Sequence, residues 1–281
     1  MINIGQINQL EILRETDFGV FLDAKDYGTV MLPKKLMRQP AEIGAFVDVF
    51  LYFDADSQLA ATTENPIACV GEWGMMKVIG VNSIGAFVNW GIESKDLLIP
   101  FSEQRGRLTA EQSVLVYVYT DKASGRIVGT TKFNKWLDKT PAHYTPNEKV
   151  DLLVAERSAL GYKVIINDQH WGMLFQSDVF GKVFVGKRLK GFVKQIRDDG
   201  KIDVSLQKLG VAKLDELSGK IVAQLRQKGG FLPLGDKSSP EAIFEAFRTS
   251  KGTYKKTIGQ LYKQGVIDIE ASGIRLIQDP Q

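Results

Sequence analysis

The chain has 281 residues, of which 44% are hydrophobic and 25% charged, with one cysteine and two histidines. That composition belongs to a folded protein with apolar cores, not to a disordered one, and a lone cysteine excludes an intrachain disulfide framework or a cysteine metal knuckle. The formal net charge of +3 is unevenly spread: residues 1–66 hold 5 Lys/Arg against 10 Asp/Glu, residues 67–144 hold 9 against 7, and residues 145–212 and 213–281 each hold 11 against 8, so a polyanion would be held mainly by the later segments.

The amino terminus, MINIGQINQL, lacks the basic start and apolar core of a signal peptide. No apolar run approaches the roughly 20 residues that span a bilayer, so the expectation is a cytoplasmic protein with no membrane partner. The first hairpin signal is DFGVFLDAKDYGTVMLP, Asp17 to Pro33, with Gly-x-Phe, a Gly turn and an apolar triplet closed by proline. It recurs as SIGAFVNWGIESKDLLIP, Ser83 to Pro100. Behind the first copy, Val47, Val49 and Leu51 alternate before Asp54; behind the second, Val114, Val116 and Val118 alternate before Asp121. Both are period-two strands running into an acidic turn, at a repeat of roughly 67 residues.

A third unit runs from about Thr145 to Lys208. In it Trp171-Gly172 parallels Tyr27-Gly28, Gly200-Lys201-Ile202 parallels Gly125-Arg126-Ile127, and Lys163 falls where the first two copies have Phe. Five short strands per unit predict a small closed barrel of the oligonucleotide-binding type, which leaves no sheet edge exposed. Between the second and third units, KFNKWLDKTPAHYTPNEK reads as a linker with one helical turn, whose Trp136, His143 and Tyr144 pack domains together.

From Lys213 the period changes. Leu214, Leu217, Ile221 and Leu225 stand at helical spacing before a Gly pair. SSPEAIFEAF follows, with Ser239 as cap, Pro240 at the first helical position, and Ile243, Phe244 and Phe247 on one face. A third helix turns Tyr254, Ile258, Leu261 and Tyr262 inward and leaves Lys255, Lys256 and Lys263 in solvent; two short strands around Ala271-Ser272-Gly273 complete a winged helix-turn-helix. The predicted architecture is mainly β and multidomain: barrels over 1–66, 67–132 and 145–210, a linker over 133–144, and an α+β winged helix over 211–281.

The internal order of each unit, with Gly-Ala-Phe-Val, Val-x-Val-x-Val and Asp-x-x-x-Gly-Arg-Ile in the second, resembles the S-one-type RNA-binding repeat of the largest small-subunit ribosomal protein. The resemblance implies a single-stranded RNA surface of aromatics from the second and third strands, flanked by basic residues. In the first copy it picks out Phe18 and Phe21, with Gln58 where arginine is expected and Pro33 where histidine is usual, so that copy is a weak binder. In the second it picks out Phe87 and Arg126, with Ile84 and Pro100 departing from the pattern. In the third, Tyr162, Trp171 and Phe175 are the stacking groups, Phe175 being read as inward, and Lys187, Arg188, Lys190, Lys194, Arg197 and Lys201 line the last strands. Stacking suits the task because every base has a π-face, and Lys or Arg beside it holds the phosphate. Such aromatics are also common core residues of small barrels.

Three such barrels followed by a winged helix resemble the bacterial conserved virulence factor B family. The residues that carry this are GAFVNWGIESKDLLIP, VGKRLKGFVKQIRDDGKIDVSLQ and SPEAIFEAFRTSKGTYKKTIGQLYKQGVI. The resemblance implies an RNA-binding regulator of gene expression. Two other readings stand beside it: a DNA-binding transcriptional regulator working through Lys255, Lys256, Lys263 and Arg275 of the winged helix, and a scaffold whose barrels bind protein. No enzyme and no cofactor are expected. His143 and His170 lie in different segments, no nucleotide or hydrolase motif occurs, and adjacent Asp198 and Asp199 diverge in a turn.

Overall fold

Alternation of buried and exposed residues along each strand decides the architecture. A computed structural model describes residues 1–37, 40, 42–54, 56–93, 95–179, 182–207 and 211–277, the side chains of 211–215 excepted. In the first barrel, β1 (Ile7–Thr16), β2 (Gly19–Asp23), β3 (Thr29–Pro33), β4 (Phe46–Phe53) and β5 (Leu59–Thr62) pair in the order β3-β2-β1-β4-β5, and the two edges lie against each other. Leu10, Ile12, Val20, Leu22, Leu32, Val49 and Leu51 fill it. The second barrel repeats this order with β6 (Trp73–Val81), β7 (Gly85–Ile92), β8 (Lys95–Pro100), β9 (Ser113–Thr120) and β10 (Ile127–Thr130), and β8 meets β10. In the third, β11 (Lys149–Ser158), β12 (Gly161–Ile166), β13 (His170–Phe175), β14 (Arg188–Ile196) and β15 (Ile202–Ser205) close completely, with β13 and β15 parallel.

One register break recurs. It falls between Ile12 and Arg14 in β1, between Val78 and Gly80 in β6, and between Val154 and Glu156 in β11. A bulge there bends the long first strand, and in the first two barrels that strand pairs with two different neighbours. The glycine of Gly-x-Phe also has a structural cause. A Cβ on Gly19 would stand 2.1 Å from the Leu32 carbonyl oxygen, and one on Gly85 would stand 2.3 Å from that of Ile99. The turns before β10 and β15 match as the repeated Gly-basic-Ile motif predicts: the Asp121 N–H donates to Arg126 O, and the Arg197 N–H donates to Lys201 O, each at 2.8 Å. The other parallel fails, because Tyr27 sits in a 3-10 turn ahead of β3 whereas Trp171 lies within β13.

The chain divides into two compact units: Met1–Ala142 with Leu152–Trp171 and Lys182–Arg188, and His143–Asp151 with Gly172–Gly181 and Leu189–Gln281. Within the first, Phe50 meets Trp90 edge-on at 5.2 Å and Val70 N–H donates to Gly5 O at 2.9 Å, joining barrels one and two. Residues 133–137 are also packing groups. Trp136 lies 4.7 Å from both Tyr117 and Tyr119, and Phe133 and Leu137 share a core with Trp73, Leu153 and Ile165. His143 is exposed, so of the expected linker residues Trp136 is the one that joins this core.

In the second unit, α1 (Val211–Gln227), α2 (Pro240–Phe247) and α3 (Lys251–Lys263) pack through Leu217, Ile221, Leu225, Ile243, Tyr254, Ile258 and Leu261. The Leu214 side chain lies outside the described residues. Ser239 Oγ accepts from Ala242 N–H and Ser250 Oγ from Thr253 N–H, each at 3.2 Å, capping α2 and α3. Two sequence expectations are corrected: Phe244 and Tyr262 are each 53% exposed, at the margin of their helices' apolar stripes. The wing is also larger than expected, since β16 (Phe231–Leu232) joins β17 (Ile267–Glu270) and β18 (Gly273–Leu276) in a sheet ordered β16-β18-β17. Among the described residues no helix is long and apolar enough to cross a membrane.

Candidate nucleic-acid interface

The second barrel brings its two expected residues together. Phe87, half-buried on β7, and Arg126, exposed at the foot of β10, line one cavity of about 220 Å³ with Ile84, Leu98 and Lys95. Phe87 pairs with Leu98 across the strands, so an aromatic and an aliphatic side chain share that wall. Tyr52, Phe53 and Asp54 at the end of β4 supply the opposite wall. Lys95 Nζ donates to Phe53 O at 3.1 Å and stands 5.9 Å from the Tyr52 ring centre. Burial pushes the Lys95 pKa below the usual lysine value against the pull of Asp54. The cavity therefore offers a ring, a guanidinium and an ammonium at one place.

The first barrel arranges its expected residues differently. Phe18 is 79% exposed in the turn after β1, while Phe21 on β2 carries the Arg14 guanidinium 3.8 Å over its ring. Gln58 is exposed, and its N–H donates to Asp54 Oδ1 at 2.9 Å. Gln58 thus stands where the second barrel has Arg126.

The third barrel distributes its groups differently from expectation. Tyr162 is buried and its hydroxyl donates to Val183 O at 3.1 Å, so its ring belongs to the interior. Trp171 has the Lys163 ammonium 3.7 Å over its ring and donates Nε1–H to Asn134 Oδ1 at 3.0 Å. Phe175 is half-buried with Arg197 at 5.5 Å, rather than fully inward. The cations are mostly paired. Arg188 meets Asp168 at 3.3 Å, Lys194 meets Asp178 at 2.9 Å, Arg197 meets Asp203 at 2.7 Å and Lys201 meets Asp199 at 2.6 Å, while Lys190 pairs with Asp151. Lys187 donates to Lys182 O at 2.6 Å.

On the winged helix, Lys255 lies 3.8 Å from Asp236, and Arg275 pairs with Glu270 at 2.5 Å. Lys256 and Lys263 are exposed and make no ion pair among the described residues. Among the described residues, no group of three or more His, Cys, Asp or Glu could hold a metal ion.

The S1 domain family model matches residues 4–64 and 70–132, and the CvfB-like winged helix domain model matches residues 219–276. Conserved virulence factor B of Staphylococcus aureus (strain N315) is 26% identical over 298 residues, covering 97% of this chain and 94% of its own. The chain belongs to the conserved virulence factor B family. A further relative, "Uncharacterized protein YitL" of Bacillus subtilis (strain 168), is 29% identical over 290 residues, covering 94% of this chain and 90% of its own. A solved multidomain protein with nucleic acid binding domains from Streptococcus pneumoniae TIGR4 has 26% identity over 98% of each chain, with a TM-score of 0.42. In this conserved virulence factor B relative, the S1 domains and winged helix are nucleic-acid-binding folds, which makes nucleic acid the partner class.

Sequence reasoning missed two groups of residues. Tyr52 and Phe53, at the end of β4, reach the Phe87 cavity only through the packing of barrel one on barrel two, and Lys95 stands on β8 of Phe87's own hairpin. Lys132, Lys135 and Arg105 were not singled out at all, although they line a second cavity with Lys163 and Trp171. The signal available for that cavity was the lysine at position 163, where the repeated pattern has phenylalanine.

Proposed function

We propose that this chain is a non-catalytic, cytoplasmic, single-stranded RNA-binding protein that regulates expression of other genes. It binds through its second and third barrels, with the winged helix as an accessory surface. The observation that carries this reading is the convergence of Phe87, Arg126 and Lys95 on one cavity in the barrel with the matched S1 model. A flat ring beside two cations suits an unpaired base and its phosphate, because stacking is indifferent to sequence and the cations take the backbone. A duplex hides its base faces, so a half-buried Phe87 gains little from one.

The test is fluorescence anisotropy of labelled single-stranded RNA and duplex DNA with the full chain across a salt series. Phe87→Ala with Arg126→Ala is expected to weaken RNA binding by about 5- to 150-fold, the equivalent of one stacked base at about 1–3 kcal/mol. Tighter binding of duplex DNA, unaffected by these substitutions, would overturn the reading. That outcome would favour a DNA-binding regulator, for which Lys256 and Lys263 of α3, exposed and without an ion pair among the described residues, are the supporting observation.

A further inference from the structure

A second cavity, of about 390 Å³, opens in the first unit between the second barrel, residues 131–135 and the third-barrel residues Glu156, Lys163 and Trp171. Its lining carries four cations, Arg105, Lys132, Lys135 and Lys163, against two carboxylates, Glu103 and Glu156. The carboxylates are already engaged. Glu103 holds Lys135 at 2.7 Å, and Glu156 holds Arg105. That leaves Lys132 and Lys163 with no ion pair among the described residues. Lys132 donates one N–H to Ser102 O at 2.7 Å, and Lys163 rests 3.7 Å over the Trp171 ring. Each ammonium has three N–H donors, so both keep hydrogen-bonding capacity for an anion.

The Trp171 ring does not offer an open stacking face here, because the ammonium of Lys163 covers one side and Phe133 stands 6.3 Å away at a tilt. Its role in the cavity is to hold a cation. The cation–π contact is half-buried and holds Lys163 with a single ring face, whereas a phosphate oxygen offers the same ammonium a charge-assisted hydrogen bond, so Lys163 can turn to an incoming oxyanion.

This cavity is connected to the first by the two edge strands of barrel two. β10 starts beside Arg126, Ile127 and Val128 at the Phe87 cavity and leads into Thr131 and Lys132 at the second. β8 likewise passes from Lys95 and Leu98 towards Glu103 and Arg105. The distance along β10 from Arg126 to Lys132 is on the order of 20 Å at about 3.3 Å per residue. A few nucleotides of extended strand cover that span, within the site size of roughly 4–16 nucleotides for one barrel of this type.

We propose that Lys132 and Lys163 form a backbone-binding subsite for the same single-stranded nucleic acid, taking phosphodiester groups of the strand as it runs from the Phe87 cavity along β8 and β10. The subsite rests on the reading of the second barrel as an RNA-binding face. It reads charge and not base identity. It should matter only to strands long enough to reach it.

The experiment uses the full chain with labelled oligouridine as tetranucleotide and as dodecanucleotide, across a salt series. Lys132→Ala with Lys163→Ala should leave tetranucleotide affinity at the wild-type value. It should weaken the dodecanucleotide about 10-fold or more and lower the slope of log affinity against log salt by about 1.4, since each single-strand phosphate contact contributes about 0.7. Lys132→Arg with Lys163→Arg keeps the charge and should restore both affinity and slope, which separates phosphate binding from a packing role. Wild-type dodecanucleotide affinity and slope in the double alanine variant would overturn the subsite. Phe87→Ala with Arg126→Ala, run in parallel, reports on the underlying reading. If that pair leaves both oligonucleotides unaffected while the lysine pair weakens the longer one, the cavity stands and the Phe87 face fails. If the wild-type chain binds neither oligonucleotide, both fall.

Discussion

Asp203 is the most constrained charge in the third barrel, being only 3% exposed in the middle of β15. Arg197 reaches it with two N–H groups, at 2.9 and 2.7 Å, and Gln195 adds a third bond at 2.9 Å. Burial alone would raise its pKa, but the bonds from Arg197 and Gln195 outweigh burial and hold the carboxyl below the ordinary 3.8. A depressed folded pKa means that the bonds stabilise the fold fully above the unfolded value, and that this stabilisation disappears as the pH falls through the folded pKa. Asp203→Asn should therefore cost about 1–3 kcal/mol at neutral pH and flatten the decline in stability below about pH 4. Urea unfolding at several pH values measures both, and an unchanged acid limb in the variant would refute the assignment. For function, the consequence is that Arg197 is first a partner of Asp203. Any phosphate it binds must share it with a buried carboxylate, whereas Arg126 carries no such obligation among the described residues.

The hairpin of β7 and β8 is the element on which the Phe87 cavity depends, and Gly85 sets how closely its strands approach. An alanine there would drive its Cβ to 2.3 Å from Ile99 O, which only backbone movement relieves. Gly85→Ala should cost about 1–3 kcal/mol by overpacking and shift Phe87 off Leu98, reducing RNA affinity as well as stability. Gly106→Ala, where a Cβ meets nothing within 4 Å, is the control expected to leave both unchanged. Equal midpoints for the two variants in chemical unfolding would contradict this role for Gly85. The hairpin was legible in the sequence because its Gly-x-Phe and terminal Pro recur, and the Val-x-Val-x-Val strands because a period of two is visible in one row of letters. The helices of the winged domain were equally plain from Ser239 and Pro240 and from the helical spacing of Tyr254, Ile258 and Leu261. The recurrent bulge in the first strand was not legible, since an extra residue changes pairing without changing composition. Phe244 and Tyr262 were turned to the wrong side because a helical stripe has soft margins, and only packing decides which marginal ring is covered. The Lys132–Lys163 cavity was invisible because its residues come from separate stretches of chain, brought together by the aromatic core around Trp73, Trp136 and Phe133.

Across the whole molecule, the charge gradient argues for a division of labour. The first 66 residues carry a net excess of acids, and the stretch from 67 to 281 carries the excess of bases. A long polyanion is thus repelled from the first barrel's surface and attracted beyond it, with a salt dependence that scales with the phosphates engaged. The first barrel then contributes to the site through shape, by lending the Tyr52 and Phe53 wall, more than through charge. The lysines of α3 belong to the other compact unit, and tethering lets even a weak second surface add to affinity by raising its effective concentration. An accessory winged helix therefore predicts a graded effect and not an abolished one. In the full chain, Lys255→Ala, Lys256→Ala and Lys263→Ala together should lower single-stranded RNA affinity by less than about 5-fold while removing most of the salt-dependent binding to duplex DNA. Lys255 contributes least to that loss, since Asp236 stands 3.8 Å from it. Competition anisotropy with both nucleic acids measures the two effects in one titration. A fall in RNA affinity as large as that from Phe87→Ala with Arg126→Ala would make α3 a principal RNA surface and overturn its accessory role, because a tethered second surface adds to the affinity of the first and does not equal it.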